Sequence, residues 1–97
     1  IGGIARSVMR HGFRRIGLVN GHGGNTEAIA TAAIELTRTL GVPVVGVTYW
    51  LANADAFRLI LETQANVMHA CEAETSMMMA AQPDCVRTEN IARAVPK

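Results

Sequence analysis

Cysteine is scarce in this sequence of 97 residues, with Cys71 and Cys85 the only two. They form neither a disulfide framework nor a Cys-x-x-Cys metal knuckle, so reduced thiols in a cytoplasmic protein are the expectation. Long apolar runs are missing as well. None reaches the roughly 18 residues needed to cross a bilayer, and no segment resembles a signal peptide, so no membrane partner is expected. Charge of one sign is also lacking: the net charge is +1 and both signs are interspersed. Arg10, Arg14 and Arg15 do cluster. They lie near the end of an expected helix, where they complement its dipole, and no sustained basic stripe points to nucleic acid. Internal repeats, low-complexity tracts and interdomain linkers are absent from the sequence too.

What the chain does have is apolar sequence, 49% of its residues. A chain of this length makes one domain at most and buries only about two thirds of its unfolded surface. That composition suits a domain completed by further core segments or subunit contacts. The pattern predicts a helix from Ile4 to Arg10 stopped by Gly12, and a strand from Ile16 to Asn20. His11, one residue before Gly12, is explained by its place at a helix end. A helix over Thr26–Leu40 follows, with Ile29, Ala33, Leu36 and Leu40 on its apolar face and Gly41 as its stop. Val42 to Trp50 reads as a strand that tolerates Pro43 at its start. Strand, helix and strand in this order make a parallel crossover. Further helices are expected over 54–61 and 72–81, the second ending before Pro83, with a loop over 62–68. The Met77-Met78-Met79 run reads as adaptable helix packing, and the tail through Pro96 as mostly irregular.

The stretch Asn20-Gly21-His22-Gly23-Gly24-Asn25 interrupts this regular pattern where the first strand ends. Ligands of open α/β sheets bind at the carboxyl ends of strands. Gly21, Gly23 and Gly24 permit positive φ and close approach of backbone to a ligand, and amides near a helix N-terminus can face an anion or oxyanion. A dinucleotide fingerprint is excluded, because the position of its third glycine holds Thr26 and no acidic residue ends the next strand. No Walker Gly-Lys-Ser/Thr follows. Read alone, the stretch also describes a tight turn whose histidine packs or faces water. Asn20 and Asn25 read as turn-stabilising or ligand-supporting residues, and Asn25 can cap the following helix.

A second cluster is His69-Ala70-Cys71-Glu72-Ala73-Glu74-Thr75-Ser76. A helix starting near Cys71 or Glu72 places Glu74 in its first turn and His69 in the loop before it. Histidine with glutamate suits Zn²⁺ or Mn²⁺. Equally, Glu72 and Glu74 can be first-turn acids that complement the helix dipole. A thiol at a helix N-terminus beside His69 also admits a nucleophilic Cys-His pair.

Taken together, NGHGGN at 20–25 and HACEAETS at 69–76 resemble the creatininase (creatinine amidohydrolase) family, in which an NGHGGN loop and an HAGExETS segment build a two-metal site. The Arg10-His11-Gly12-Phe13-Arg14-Arg15 approach and the Tyr49-Trp50 pair extend the match across most of the chain. The resemblance implies an α/β/α layered fold with a mainly parallel sheet, here incomplete. It also implies hydrolysis of a cyclic or linear amide C–N bond by metal-activated water, with two Zn²⁺ or Mn²⁺ ions. By the same resemblance His22 and Glu74 match metal ligands, and His69 matches a histidine beside the substrate that protonates or orients. Asn20, Gly23, Gly24, Asn25, Trp50 and Glu72 are then candidates for substrate contact, oxyanion stabilisation or support of the ligands. The implied partners are a small-molecule amide and further copies of the chain, commonly as a hexamer.

Two departures qualify the match. The family has glycine where this chain has Cys71, and a position needing φ > 0 would resist a side chain, whereas a helical one would not. The family's Glu-x-His segment with a bridging aspartate has no counterpart, since Asp55 and Asp84 are the only aspartates and neither follows a Glu-x-His. Residues 1–97 therefore read as part of a longer amidohydrolase, inactive alone. The competing reading is a non-catalytic α/β fragment or pseudoenzyme that serves subunit association or small-ligand binding.

Overall fold

The computed structural model describes residues 1–94, and the chain divides into two compact units, Ile1–Ala52 and Asn53–Lys97. In the first unit the order is α1 (Gly2–Arg10), β1 (Ile16–Asn20), a 3-10 turn (Gly23–Asn25), α2 (Thr26–Leu40) and β2 (Val44–Thr48). Helix α1 starts earlier than the sequence pattern predicts, because the Ile1 carbonyl already accepts from the Ala5 amide at 2.9 Å. Both helices stop as expected at glycines with positive φ, Gly12 at +94° and Gly41 at +66°. Only glycine takes up such a conformation without steric cost. Arg14 Nη1 donates to the Met9 carbonyl at 3.0 Å, so one of the clustered arginines completes the end of α1.

The two strands pair in parallel, in register from Ile16↔Val44 to Asn20↔Thr48. Strand β2 is shorter than Val42–Trp50 at both ends. Pro43 has no N–H to pair, and only its carbonyl takes part, accepting from the Ile16 amide at 3.0 Å. Beyond Thr48 the chain turns, as the Thr48 carbonyl accepts from the Leu51 amide at 2.9 Å. Residues alternate between the faces of a strand, so Ile16, Leu18 and Asn20 share one face with Val44, Gly46 and Thr48. Helix α2 covers that face. Ala5, Ala33, Leu36, Val42 and Val44 are buried together, with Met9, Ile16, Leu18 and Leu40 packed against them. Thr37 Oγ1 accepts from the Val44 amide at 3.0 Å and donates to its carbonyl at 3.2 Å, fixing α2 along β2.

At Gly46 the helix lies close, since a Cβ there would meet Ile29 Cγ2 at 2.5 Å. This glycine is one that the sequence pattern does not single out. The fold class is α/β with a parallel sheet, as expected, and one helical layer lies on the sheet of this unit. The opposite face is open, with Val19 76% and Val45 64% exposed, although parallel sheets are ordinarily covered on both faces.

The second unit contains α3 (Ala54–Ile60), a loop, α4 (Glu72–Ala81) and 3-10 turns at Pro83–Cys85 and Thr88–Arg93. Asn53 Oδ1 caps α3 by accepting from the Ala56 amide at 3.3 Å. Helix α4 has the bounds that its sequence predicts. Met77, Met78 and Met79, expected to pack, are instead exposed. Ala73 is the buried residue of α4, and the three methionines remain 41–49% exposed among the described residues. The tail is not wholly irregular, because Thr88–Arg93 closes 3-10 hydrogen bonds; Val95 and Pro96 lie outside the described residues. Among the described residues no helix is long and apolar enough to cross a membrane.

Candidate functional site

The first loop is built by the last rung of the sheet. Asn20, 3% exposed, and Thr48, 5% exposed, face each other at the carboxyl ends of β1 and β2. Asn20 Oδ1 accepts from the His22 amide at 3.1 Å, while its Nδ2 donates to the His22 carbonyl at 2.8 Å. Nδ2 also donates to Thr48 Oγ1 at 2.8 Å, and Thr48 Oγ1 lies 3.0 Å from Thr26 Oγ1 at the start of α2. Asn20 thus grips the backbone of His22 on both sides. His22 itself is extended, at φ −141° and ψ 125°, and exposed at the sheet edge.

The glycines of this loop do not adopt the positive φ that the sequence allows. Among the described glycines only Gly12 and Gly41 have positive φ, so Gly21, Gly23 and Gly24 occupy ordinary backbone regions. Their value is space. A Cβ at Gly24 would sit 3.0 Å from His22 Nε2, and one at Gly23 would sit 3.7 Å from Trp50 Cζ2. The imidazole therefore lies over Gly24, and the half-buried indole flanks Gly23. Trp50 also meets Tyr49 edge to face, with centroids 4.9 Å apart. Asn25 is not a side-chain cap. It is already in the 3-10 turn at φ −95° and ψ −7°, its amide donating to the His22 carbonyl at 3.0 Å, and its side chain makes no cap hydrogen bond. An N-cap side chain reaches the following amides from an extended backbone, which this residue lacks.

The second loop is held by two carboxylates. Glu72 accepts from the amides of Glu62 at 2.7 Å, Thr63 at 2.9 Å and Gln64 at 3.1 Å, and from the Thr63 hydroxyl at 2.8 Å. Gln64 Oε1 answers by accepting from the Glu72 amide at 2.7 Å. The Glu62 amide is the foremost of the groups that hold the Glu72 carboxyl down at about 2, followed by the Thr63 amide and hydroxyl. Donors aimed at a carboxylate favour its charged form. Glu72 is thereby occupied in ordering the loop. Glu74, in the first turn of α4, accepts from the Ala70 amide through Oε2 at 2.7 Å. Its hold is on the residue next to the exposed His69.

Cys71 is neither left-handed nor helical. It is the extended N-cap of α4 at φ −88° and ψ −179°, and buried, while the positive φ of +47° falls on Ala70. The site residues thus fall into two groups, Asn20 to Asn25 with Trp50 in the first unit and His69, Glu72 and Glu74 in the second. Among the described residues no three His, Cys, Asp or Glu side chains gather as a metal site. Thr26, Thr48, Thr63 and Gln64 were not legible as site residues. Thr48 alone carried a signal, as the polar residue opposite Asn20 at the end of an apolar strand.

The chain is 39% identical over 77 residues to a mycofactocin precursor peptide peptidase of Mycolicibacterium smegmatis, an alignment covering 79% of this chain and 26% of that protein. The chain thus spans about a quarter of the length of the curated relative that it matches. No solved structure matches it. The family model described as creatinine amidohydrolase matches residues 1–97 from end to end, and the chain belongs to the creatininase family.

Proposed function

We propose that this chain supplies part of the active site of a divalent-metal-dependent amidohydrolase, with His22 and Glu74 each contributing a ligand. The observation that carries the reading is the two-sided grip of Asn20 on His22, which presents an imidazole at the ligand-binding edge of a parallel sheet. Imidazole and carboxylate are donors suited to Zn²⁺ or Mn²⁺. Catalytic zinc takes three protein ligands, so the remaining donors come, on this reading, from parts of the protein outside these residues.

When bound, the ions supply Lewis-acid polarisation of the amide carbonyl and a water acidic enough to attack it. The residues of this chain do the rest. His22 and Glu74 hold their donor atoms through backbone contacts already in place, at Asn20 and at Ala70. The amides of Gly23 and Gly24 open a helical turn and offer donors to the developing oxyanion. His69 protonates the departing nitrogen. Trp50 forms an apolar wall beside the glycines. A peptide amide is the favoured substrate class, because the relative is named a peptidase.

The test is metal analysis and turnover of a small amide panel in the full-length protein. His22→Ala and Glu74→Ala should each lose most bound Zn²⁺ or Mn²⁺ together with activity. His69→Ala should keep its metal and lose about 10²- to 10⁴-fold in kcat. Full metal stoichiometry in both ligand variants would overturn the assignment.

A further inference from the structure

We infer that Thr48 and Thr26 are positioning residues for His22, acting through the side-chain amide of Asn20; the inference rests on reading His22 as a metal ligand. Along the face covered by α2, the paired positions run Ile16/Val44, Leu18/Gly46 and Asn20/Thr48. The face turns polar at its last rung, the one adjoining His22. There Asn20 uses both of its amide hydrogens and its carbonyl oxygen. Oδ1 takes the His22 amide, and the two Nδ2 hydrogens go to the His22 carbonyl and to Thr48 Oγ1.

The His22 backbone decides which way the Asn20 amide faces, and the Thr48 hydroxyl helps to hold it there. Turned over, the amide would set Oδ1 against the His22 carbonyl and Nδ2 against the His22 amide, two repulsive contacts. In the observed orientation each of its polar atoms is satisfied. Thr48 accepts the second Nδ2 hydrogen, and Thr26, 3.0 Å away, fixes the Thr48 hydroxyl from the first turn of α2. Buried side-chain polar atoms without a partner are absent among the described residues. A valine at 48 would keep the shape and remove the acceptor, leaving a buried amide hydrogen unpaired. Asn20 is then held by two contacts in place of three, and its grip on the His22 backbone loosens.

The experiment compares Thr48→Val, Thr48→Ala and Thr48→Ser in the full-length protein, with His22→Ala as reference. One readout is Zn²⁺ and Mn²⁺ affinity by competition with a chromophoric chelator. The other is hydrogen exchange of the His22 amide in metal-free protein. Thr48→Val should weaken metal binding by about 10- to 100-fold, the usual effect of removing a group that orients a ligand, and should selectively speed exchange at His22. Thr48→Ser should restore both. Thr48→Ala relieves any packing conflict and should repeat the valine result. Unchanged affinity and unchanged His22 exchange in the valine and alanine variants would overturn the inference, as would faster exchange spread evenly over β1 and β2. If His22→Ala keeps its metal, the ligand reading fails separately, and selective exchange at His22 still decides the positioning role.

Discussion

Replacing Gly46 by alanine tests how closely α2 must approach β2 for the site to form. The added Cβ would lie 2.5 Å from Ile29 Cγ2 and 3.3 Å from the Ile29 carbonyl oxygen. Carbon atoms in contact prefer about 3.5–4.0 Å, so the first approach is short by about 1 Å. Ile29 has little room to yield, because a β-branched side chain in a helix is largely confined to one χ1 rotamer. Its carbonyl belongs to the helix backbone and moves only with α2. Overpacking of this kind costs about 1–3 kcal/mol. Loss of unfolded-state freedom at a former glycine returns about 0.4–1 kcal/mol where the backbone is compatible. A net destabilisation of about 1–2 kcal/mol is expected, seen in urea unfolding as a lower midpoint at unchanged slope. Combining Gly46→Ala with Ile29→Ala removes the closest contact, and the double variant should be more stable than the sum of the single changes by about 1 kcal/mol or more. A Gly46→Ala protein as stable as its parent, or additivity in the double variant, would refute the argument.

Gly24→Ala places a Cβ 3.0 Å from His22 Nε2, and the ring must then shift by a few tenths of an ångström. Metal–ligand distances tolerate about ±0.2 Å, so chelator competition should show metal affinity lowered about tenfold with the melting temperature unchanged. Glu72 gives a pH signature. Its folded value, held at about 2, lies below its ordinary 4.5, so its contribution is fully present above pH 4.5 and lost as the pH falls through about 2. Glu72→Gln should abolish that dependence; hydrogen exchange at the Thr63 and Gln64 amides between pH 5 and 2 reads it directly.

Much of the first unit was legible because its signals are local and repeated. The apolar positions of α2 recur at helical spacing, and Gly12 and Gly41 stop their helices for the reason that glycine usually does. The ends of β2 were not legible. A nine-residue strand-like stretch from Val42 to Trp50 does not reveal that Pro43 cannot pair or that the chain turns at Thr48. Gly46 was missed for a related reason. Its role depends on which face α2 covers and how near it lies, which is tertiary information. The exposed methionines of α4 mark the same limit, since their pattern says they suit packing but not what packs on them.

The two loops show why a motif can be recognised while its working parts are misread. Glycines in NGHGGN invite an argument from positive φ, yet the backbone there is ordinary and the loop is shaped by Asn20. In HACEAETS the departure at Cys71 threatened a position thought to need left-handed geometry. That geometry falls instead on Ala70, at φ +47°. A non-glycine residue held there costs about 1–3 kcal/mol and persists only when its surroundings hold it. Here the Glu74 carboxylate does so by accepting the Ala70 amide, while Glu72 fixes the loop upstream. Cys71 then needs only an extended backbone and a side chain small enough to be buried, and it has both. In both loops the position of the candidate histidine follows from a polar side chain bound to neighbouring backbone. Residue types at fixed spacing can disclose such loops, but the partners of those side chains become visible only once the chain is folded.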